Sequence, residues 1–190
     1  MSAREAILAN VHANQPSGTY PLPDLPGFHL EGTSDVVGLF LKNLEGMGGR
    51  YHTGDVRSCI DQLFPNAKVI ASTVPDFAGN RQVFANVHPR NLADIDVAVT
   101  RASFGVAETG SILLVDQTLI ANAVAYLAQH LVVLLDPAAI VPMIQDAYCR
   151  SEFHRHRYAS FHSGPSATAD IEGVLIHGAQ GVRSLTVVLA

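Results

Sequence analysis

The chain has 190 residues, 48% apolar and 15% charged, with a net charge of -5 and a pI near 5.9. That length suits one well-filled α/β domain, and the few, scattered Lys and Arg residues exclude a nucleic-acid footprint. Two cysteines, Cys59 and Cys149, are too few for an iron–sulfur cluster or a disulfide framework, so a reduced, cytoplasmic setting is expected.

Residues 2–13 predict an amphipathic helix with Ile7, Leu8 and Val11 on one face. It lacks the continuous apolar core of a signal peptide. Gln15 to Gly27 carries Pro16, Pro21, Pro23 and Pro26 and predicts an extended arm. Residues 1–30 thus form a helix and a proline-rich arm, and 31–190 a single α/β domain.

Ser34 to Glu45 predicts a helix, with Val36, Val37, Phe40, Leu41 and Leu44 on one stripe. Gly46–Arg50 is glycine-rich but follows a helix and precedes a strand at Arg50 to His52. A dinucleotide loop needs the reverse order, so no Rossmann fingerprint is present. Asp55 to Phe64 predicts a second helix with Asp55 as N-cap, and Lys68 to Ser72 a strand. This alternation predicts a mainly parallel sheet with helices on both faces. Val74 to Leu92 is poorly periodic, with a short helix at Val83, Phe84 and Val87.

Val97–Thr100 and Ile112–Val115 have the length and branching of buried strands. Between them lies Ala107-Glu108-Thr109-Gly110-Ser111, which places a carboxylate, two hydroxyls and a glycine at a strand end. Ligand sites gather at strand carboxyl ends in α/β folds. A tight hairpin turn, with Gly110 at positive φ, explains the same residues. Thr118 to Gln129 predicts an alanine-rich helix, His130 to Leu135 a buried strand, and Ile140 to Arg150 a helix. The apolar region from Leu131 is broken by Asp136, Pro137 and Pro142 and cannot span a bilayer.

His154, His156 and His162 follow, with the first two spaced as on a strand face. Arg150, Arg155 and Arg157 crowd them and disfavour a dication, so no metal site is expected. Ser163-Gly164-Pro165-Ser166 then leads through Asp170 to Glu172. Hydroxyls around Gly-Pro suit either a backbone N–H loop for a carboxylate or phosphate, or plain capping of a helical turn over Ser166 to Asp170. Val174 to His177, the turn Gly178 to Gly181, and Leu185 to Leu189 read as strand, turn and buried strand.

Val106–Leu114 and Ser163–Gly181, in this order, resemble the LUD-domain family, and within it the lactate-utilisation protein C (LutC-like) branch. The resemblance runs along A-E-[ST]-G-[ST] and S-G-P-S-x-[ST]-A-D-I-E, from about Ala93 onward. It implies a three-layer α/β fold like that of the ribose-5-phosphate isomerase and CoA-transferase superfamily. It also implies a role in oxidising L-lactate to pyruvate with iron–sulfur partner subunits, this chain carrying no redox cofactor itself. Relatives read G-V-H-G-P near the C-terminus. Here Gly178-Ala179-Gln180-Gly181-Val182 replaces the histidine by Gln180, which removes proton transfer by a side chain at that position.

Two functional expectations follow. In the first, the chain is a binding or scaffolding subunit of that complex. It holds a small carboxylate or phosphate through Thr109, Gly110, Ser111, Ser163, Gly164, Ser166, Asp170 and Glu172, and homo-oligomer assembly is left open. The backbone N–H groups of Gly110, Ser111, Gly164 and Ser166 are the expected anion donors, because the net charge is unfavourable. In the second, the chain is a free-standing CoA-transferase-like or sugar-phosphate enzyme with Glu108 as nucleophile or base. Glu108-Thr109-Gly110 has the Glu-x-Gly form of some CoA transferases, a likeness of fold that does not establish activity.

Overall fold

The apolar runs at Val97–Arg101, His130–Leu135 and Ser184–Leu189 become the centre of one parallel sheet, and the run at Ser111–Val115 joins a second sheet beside it. The computed structural model describes residues 2–21, 23, 35–171 and 174–190. The chain opens with α1 (Ala3–Ala13), α2 (Val36–Gly46), β1 (Arg50–His52), α3 (Val56–Leu63) and β2 (Ile70–Ser72). Next come β3 (Val97–Arg101), β4 (Phe104–Val106), β5 (Ser111–Val115), α4 (Asp116–Leu119), α5 (Val124–Leu127) and β6 (His130–Leu135). The remainder is β7 (Ile140–Val141), α6 (Ile144–Cys149), α7 (Ser151–Arg155), β8 (Ala159–His162), β9 (Ala167–Ile171), β10 (Val174–His177) and β11 (Ser184–Leu189).

The central sheet is all parallel, in the order β1-β11-β6-β3-β2. Strands buried on both sides need apolar residues at successive positions, which is why β6 reads HLVVLL. Alternate residues serve opposite faces. Val97, Val99, Val132, Leu134 and Val188 meet Val56, Cys59 and Ile60 of α3. Ala98, Leu131, Val133, Leu185 and Val187 meet Phe40 and Leu44 of α2, together with residues of α4 and α5. The result is a three-layer α/β fold with helices on both faces of a mainly parallel sheet. The last strand, β11, lies between β1 and β6, so the apolar chain end is core.

The second sheet has the order β7-β4-β5-β8. Ile112 and Leu114 of β5 face the central core. Leu113 and Val115 turn the other way, toward Phe104, Val106 and Ala147. The expected hairpin turn forms with Gly110 at positive φ, but the strand before it is β4: VAVT and ILLV belong to different sheets, and β5 pairs antiparallel with β4 on one side and β8 on the other. Phe104-Gly105-Val106 is too short to show a period of two.

Other expectations change as well. No helix forms at Val83 to Val87; a single 3-10 turn occupies Pro89–Leu92, with its fixed φ set by Pro89 at the first position. The segment expected as one helix over Thr118 to Gln129 is split into α4 and α5, because Ile120 sits at φ +62° between them. Ile140 and Val141 pair with β4 before α6 begins, consistent with the extended bias that Pro142 imposes on Val141. His154 lies in α7 and His156 follows it as C-cap, so the two do not share a strand face. Ser166 to Asp170 forms no helical turn: Ala167–Ile171 is a strand paired to β10, and tertiary pairing overrides the local capping pattern. Helix α1 forms as expected, with Ser2 and Glu5 making a reciprocal capping box, but it buries none of its residues. Of the proline-rich arm, residues 15–21 and 23 form no helix or strand, and the rest lies outside the described residues.

Candidate functional site

The end of helix α2 is the platform for the site. Asn43 donates from Nδ2 to the carbonyls of Ala107 (2.8 Å) and Glu108 (3.0 Å), pinning the turn between β4 and β5 to the helix. Gly110 sits beneath it at φ +62°. A Cβ there would lie 2.2 Å from Leu44 N and 2.5 Å from Asn43 C, so only glycine lets the helix backbone approach this closely. Gly164, at φ +138°, is pressed against the same helix end: its Cβ would fall 2.4 Å from Met47 O. Two turns far apart in sequence are therefore seated on one helix terminus.

Their side chains then meet. Thr109 Oγ1 lies 2.6 Å from Ser111 Oγ, and Ser111 Oγ lies 2.5 Å from Ser163 Oγ. Ser111 is 3% exposed, so the chain of hydroxyls is anchored at a buried centre. Two hydrogen bonds among three hydroxyls use two of the three protons, which leaves one O–H to donate outward. Donors in such a chain polarise one another. The hydroxyls border an open cleft of about 580 Å³, whose other walls include Asn43, Met47, Glu108, Ile144 and Phe161.

Glu108 is exposed and stands at the cleft rim. Its Oε2 accepts from the Ile144 N–H at 3.0 Å, at the start of α6. One carboxylate oxygen thus holds a helix end, and Oε1 has no partner among the described residues.

The remaining expected residues are distributed differently. The Gly110 N–H donates to Ala107 O (3.4 Å) and the Ser166 N–H to Val182 O (3.0 Å), so neither is free for an anion. Two of the four expected N–H donors are thus taken up by the fold itself, and the side-chain hydroxyls are the polar groups that line the cleft. Ser166 does not line this cleft but a neighbouring cavity of about 330 Å³ with Tyr126, His162 and Gln180, which shares Phe161 and Ser163 with it. Burial holds the His162 imidazole below its usual range, and its buried Nε2 has no partner among the described residues. Asp170 is on β9, and Glu172 lies outside the described residues.

The location also differs from expectation. The Ser163 loop packs against Met47 and Gly48, which lead into β1, and bonds to Val182, which leads into β11. The site thus adjoins the amino ends of the parallel strands, not their carboxyl ends. Sequence reasoning missed Asn43, Met47, Ile144 and Phe161. Asn43 left one trace, a polar residue beside the apolar stripe of α2, but nothing local marks its partner 64 residues away.

Among the described residues, no group of three or more His, Cys, Asp or Glu side chains is placed to hold a metal ion. His154 Nε2 lies 2.7 Å from Tyr148 O, and His156 Nδ1 lies 3.0 Å from Asp116 Oδ1. No helix among the described residues is long and apolar enough to cross a membrane.

These features define a three-layer α/β protein with a hydroxyl-lined cleft between the end of α2 and the β7-β4-β5-β8 sheet. The chain belongs to the LUD domain family, whose pattern matches residues 81–190 and so includes both loops. Its fold is similar to that in the crystal structure of a DUF162 family protein from Deinococcus radiodurans. The two share 15% identity at a TM-score of 0.60, covering 81% of this chain and 95% of that one. At that identity the likeness speaks for the fold alone. Among curated proteins, none matches the chain.

Proposed function

We propose that the cleft binds a small carboxylate and that the chain is a LutC-like subunit of an L-lactate-oxidising assembly, working with iron–sulfur partner subunits. The observation that carries the ligand reading is the Thr109–Ser111–Ser163 hydroxyl chain bordering the cleft. Its free O–H donates to the ligand carboxylate, and a charge-assisted hydrogen bond contributes about 1.5–3 kcal/mol net. A net charge of -5 opposes an anion only weakly there, since salt screens exposed charges beyond about 8 Å at physiological ionic strength. Glu108 Oε1 accepts the hydroxyl of a 2-hydroxy acid, which explains a carboxylate beside an anion site. The assembly reading rests on LUD family membership and on two cysteines, which leave cluster-borne electron transfer to partners.

Cleft volume favours a second reading. About 580 Å³ lies within the range of sites for drug-sized ligands, larger than a three-carbon acid needs. That suits a CoA-transferase-like or sugar-phosphate enzyme with Glu108 as nucleophile or base.

Calorimetry with L-lactate, pyruvate, phosphate and a CoA thioester tests both readings, on wild type, Ser163→Ala and Glu108→Gln. Millimolar binding of lactate or pyruvate, weakened by Ser163→Ala, is expected. Affinity purification from the native host is expected to return iron–sulfur proteins. If none of the four ligands binds, with or without co-purified partners, the loops are structural and the proposal fails. Turnover of the CoA thioester that Glu108→Gln abolishes establishes the second reading.

A further inference from the structure

A further cavity lies where four segments enter the parallel sheet. Ala67 leads toward β2, Asp96 into β3, Gln129 into β6 and Arg183 into β11, and together with Phe64 and His130 they line about 450 Å³. It shares no lining residue with the hydroxyl cleft. His130 is stacked on Phe64, ring centroids 4.4 Å apart, and its Nδ1 is engaged by Ser184 Oγ at 2.8 Å. That fixes the ring and leaves Nε2 as the uncommitted nitrogen. The aliphatic stem of Arg183 lies over Gly178 of the preceding turn, and its backbone N–H donates to Gln129 O at 2.8 Å. Its guanidinium has no carboxylate within ion-pair distance among the described residues.

The carboxylate at this site, Asp96, has one oxygen engaged by backbone N–H groups and stays anionic. Asp96 Oδ2 accepts from the Lys68 N–H (2.7 Å) and the Val69 N–H (2.9 Å), and these bonds hold its carboxyl below the usual range. Burial, and then the charges of Arg183 and Arg50, hold the His130 imidazole below its usual range, with Asp96 opposing.

We infer that this cavity is a second ligand site, in which Arg183 and His130 Nε2–H hold the oxyanion of a small metabolite, a phosphate or a carboxylate group. The guanidinium supplies a planar, always-charged donor set, and the stacked imidazole supplies a donor of fixed direction. The arrangement explains why an exposed arginine stem is seated on the 178–181 turn and why Ser184 orients the neighbouring ring.

The test follows the histidine Cε1–H signals of the full chain by NMR through a pH titration, at constant ionic strength. Inorganic phosphate or acetate replaces chloride. A bound anion favours the imidazolium, so the His130 midpoint rises in a saturable way. In Arg183→Gln the ligand-free midpoint rises, because a neighbouring cation is gone, and the anion-induced rise shrinks. Anion affinity falls about tenfold or more, as expected for loss of one charge-assisted contact. A larger effect from phosphate or from acetate tells which oxyanion the site takes. Absence of saturation, or an equal anion-induced rise in wild type and Arg183→Gln, overturns the inference. Arg183 is exposed, so the variant is expected to fold.

Discussion

Gly110→Ala tests whether the packing of α2 on the turn builds the site. The new Cβ would lie 2.2 Å from Leu44 N and 2.6 Å from Leu44 Cα, both backbone atoms of a helix that cannot rotate away. Relief requires the helix and the turn to separate by roughly 1 Å, against a core packed to crystal-like density. Phe40 and Leu44, both 0% exposed, sit on the helix that must move. Alanine at φ +62° adds about 1–2 kcal/mol of backbone cost. Forced overpacking adds about 1–3 kcal/mol. A total of about 2–5 kcal/mol corresponds to a Tm lowered by roughly 4–20 °C for a chain of this size. Urea and thermal unfolding followed by circular dichroism measure both quantities. Gly46→Ala is the control, because a Cβ there meets nothing within 4 Å on the same helix. It is expected to be neutral or stabilising by up to about 1 kcal/mol. A Gly110→Ala protein within about 0.5 kcal/mol of wild type would refute the packing argument, and with it the account of how the two loops are held.

Three further outcomes are expected. A double-mutant cycle on Ser111→Ala and Ser163→Ala, read by urea unfolding, gives a coupling of about 0.5–1.5 kcal/mol if the two hydroxyls share a bond; strict additivity speaks against the chain. Cys149 is exposed, whereas Cys59 is buried and burial pushes its thiol up to about 11. A thiol reagent at mildly alkaline pH therefore labels Cys149 quickly in the native protein and Cys59 only in denaturant; fast labelling of both removes α3 from the core. His130 and His162 both have folded pKa values held below the ordinary 6.5, so the folded state binds fewer protons than the unfolded one. Their stabilising contribution is complete above pH 6.5 and is lost as pH falls through that value toward their folded values. Unfolding free energy is thus expected to decline as pH falls below about 7, and His162→Gln to flatten the decline; an unchanged slope in that variant counts against a buried neutral His162.

Much of this protein is written locally. The apolar stripe of α2, the Asp55 cap of α3, and the runs that become β3, β6 and β11 carry their own period, length and termini. A helix or buried strand of that size is decided mainly by neighbours in sequence. From these the parallel sheet with helices on both faces was legible, as was a turn requiring Gly110 at positive φ. The motifs around Glu108 and Ser163 also carry the LUD-domain signature in the sequence itself.

Tertiary structure alone decided the rest, because the deciding contacts are non-local. Three-residue β4 and two-residue β7 are strands only because each finds an edge to pair with, and such short segments have no period to read. Ala167–Ile171 became a strand because β10 lies beside it, although its sequence suited a capped helical turn. The meeting of Ser111 with Ser163, 52 residues apart, depends on two glycines pressed against one helix end. Nothing near either serine encodes the other. The same holds for Arg183 and His130: each strand entrance is ordinary alone, and only the order of strands in the sheet gathers them at one cavity.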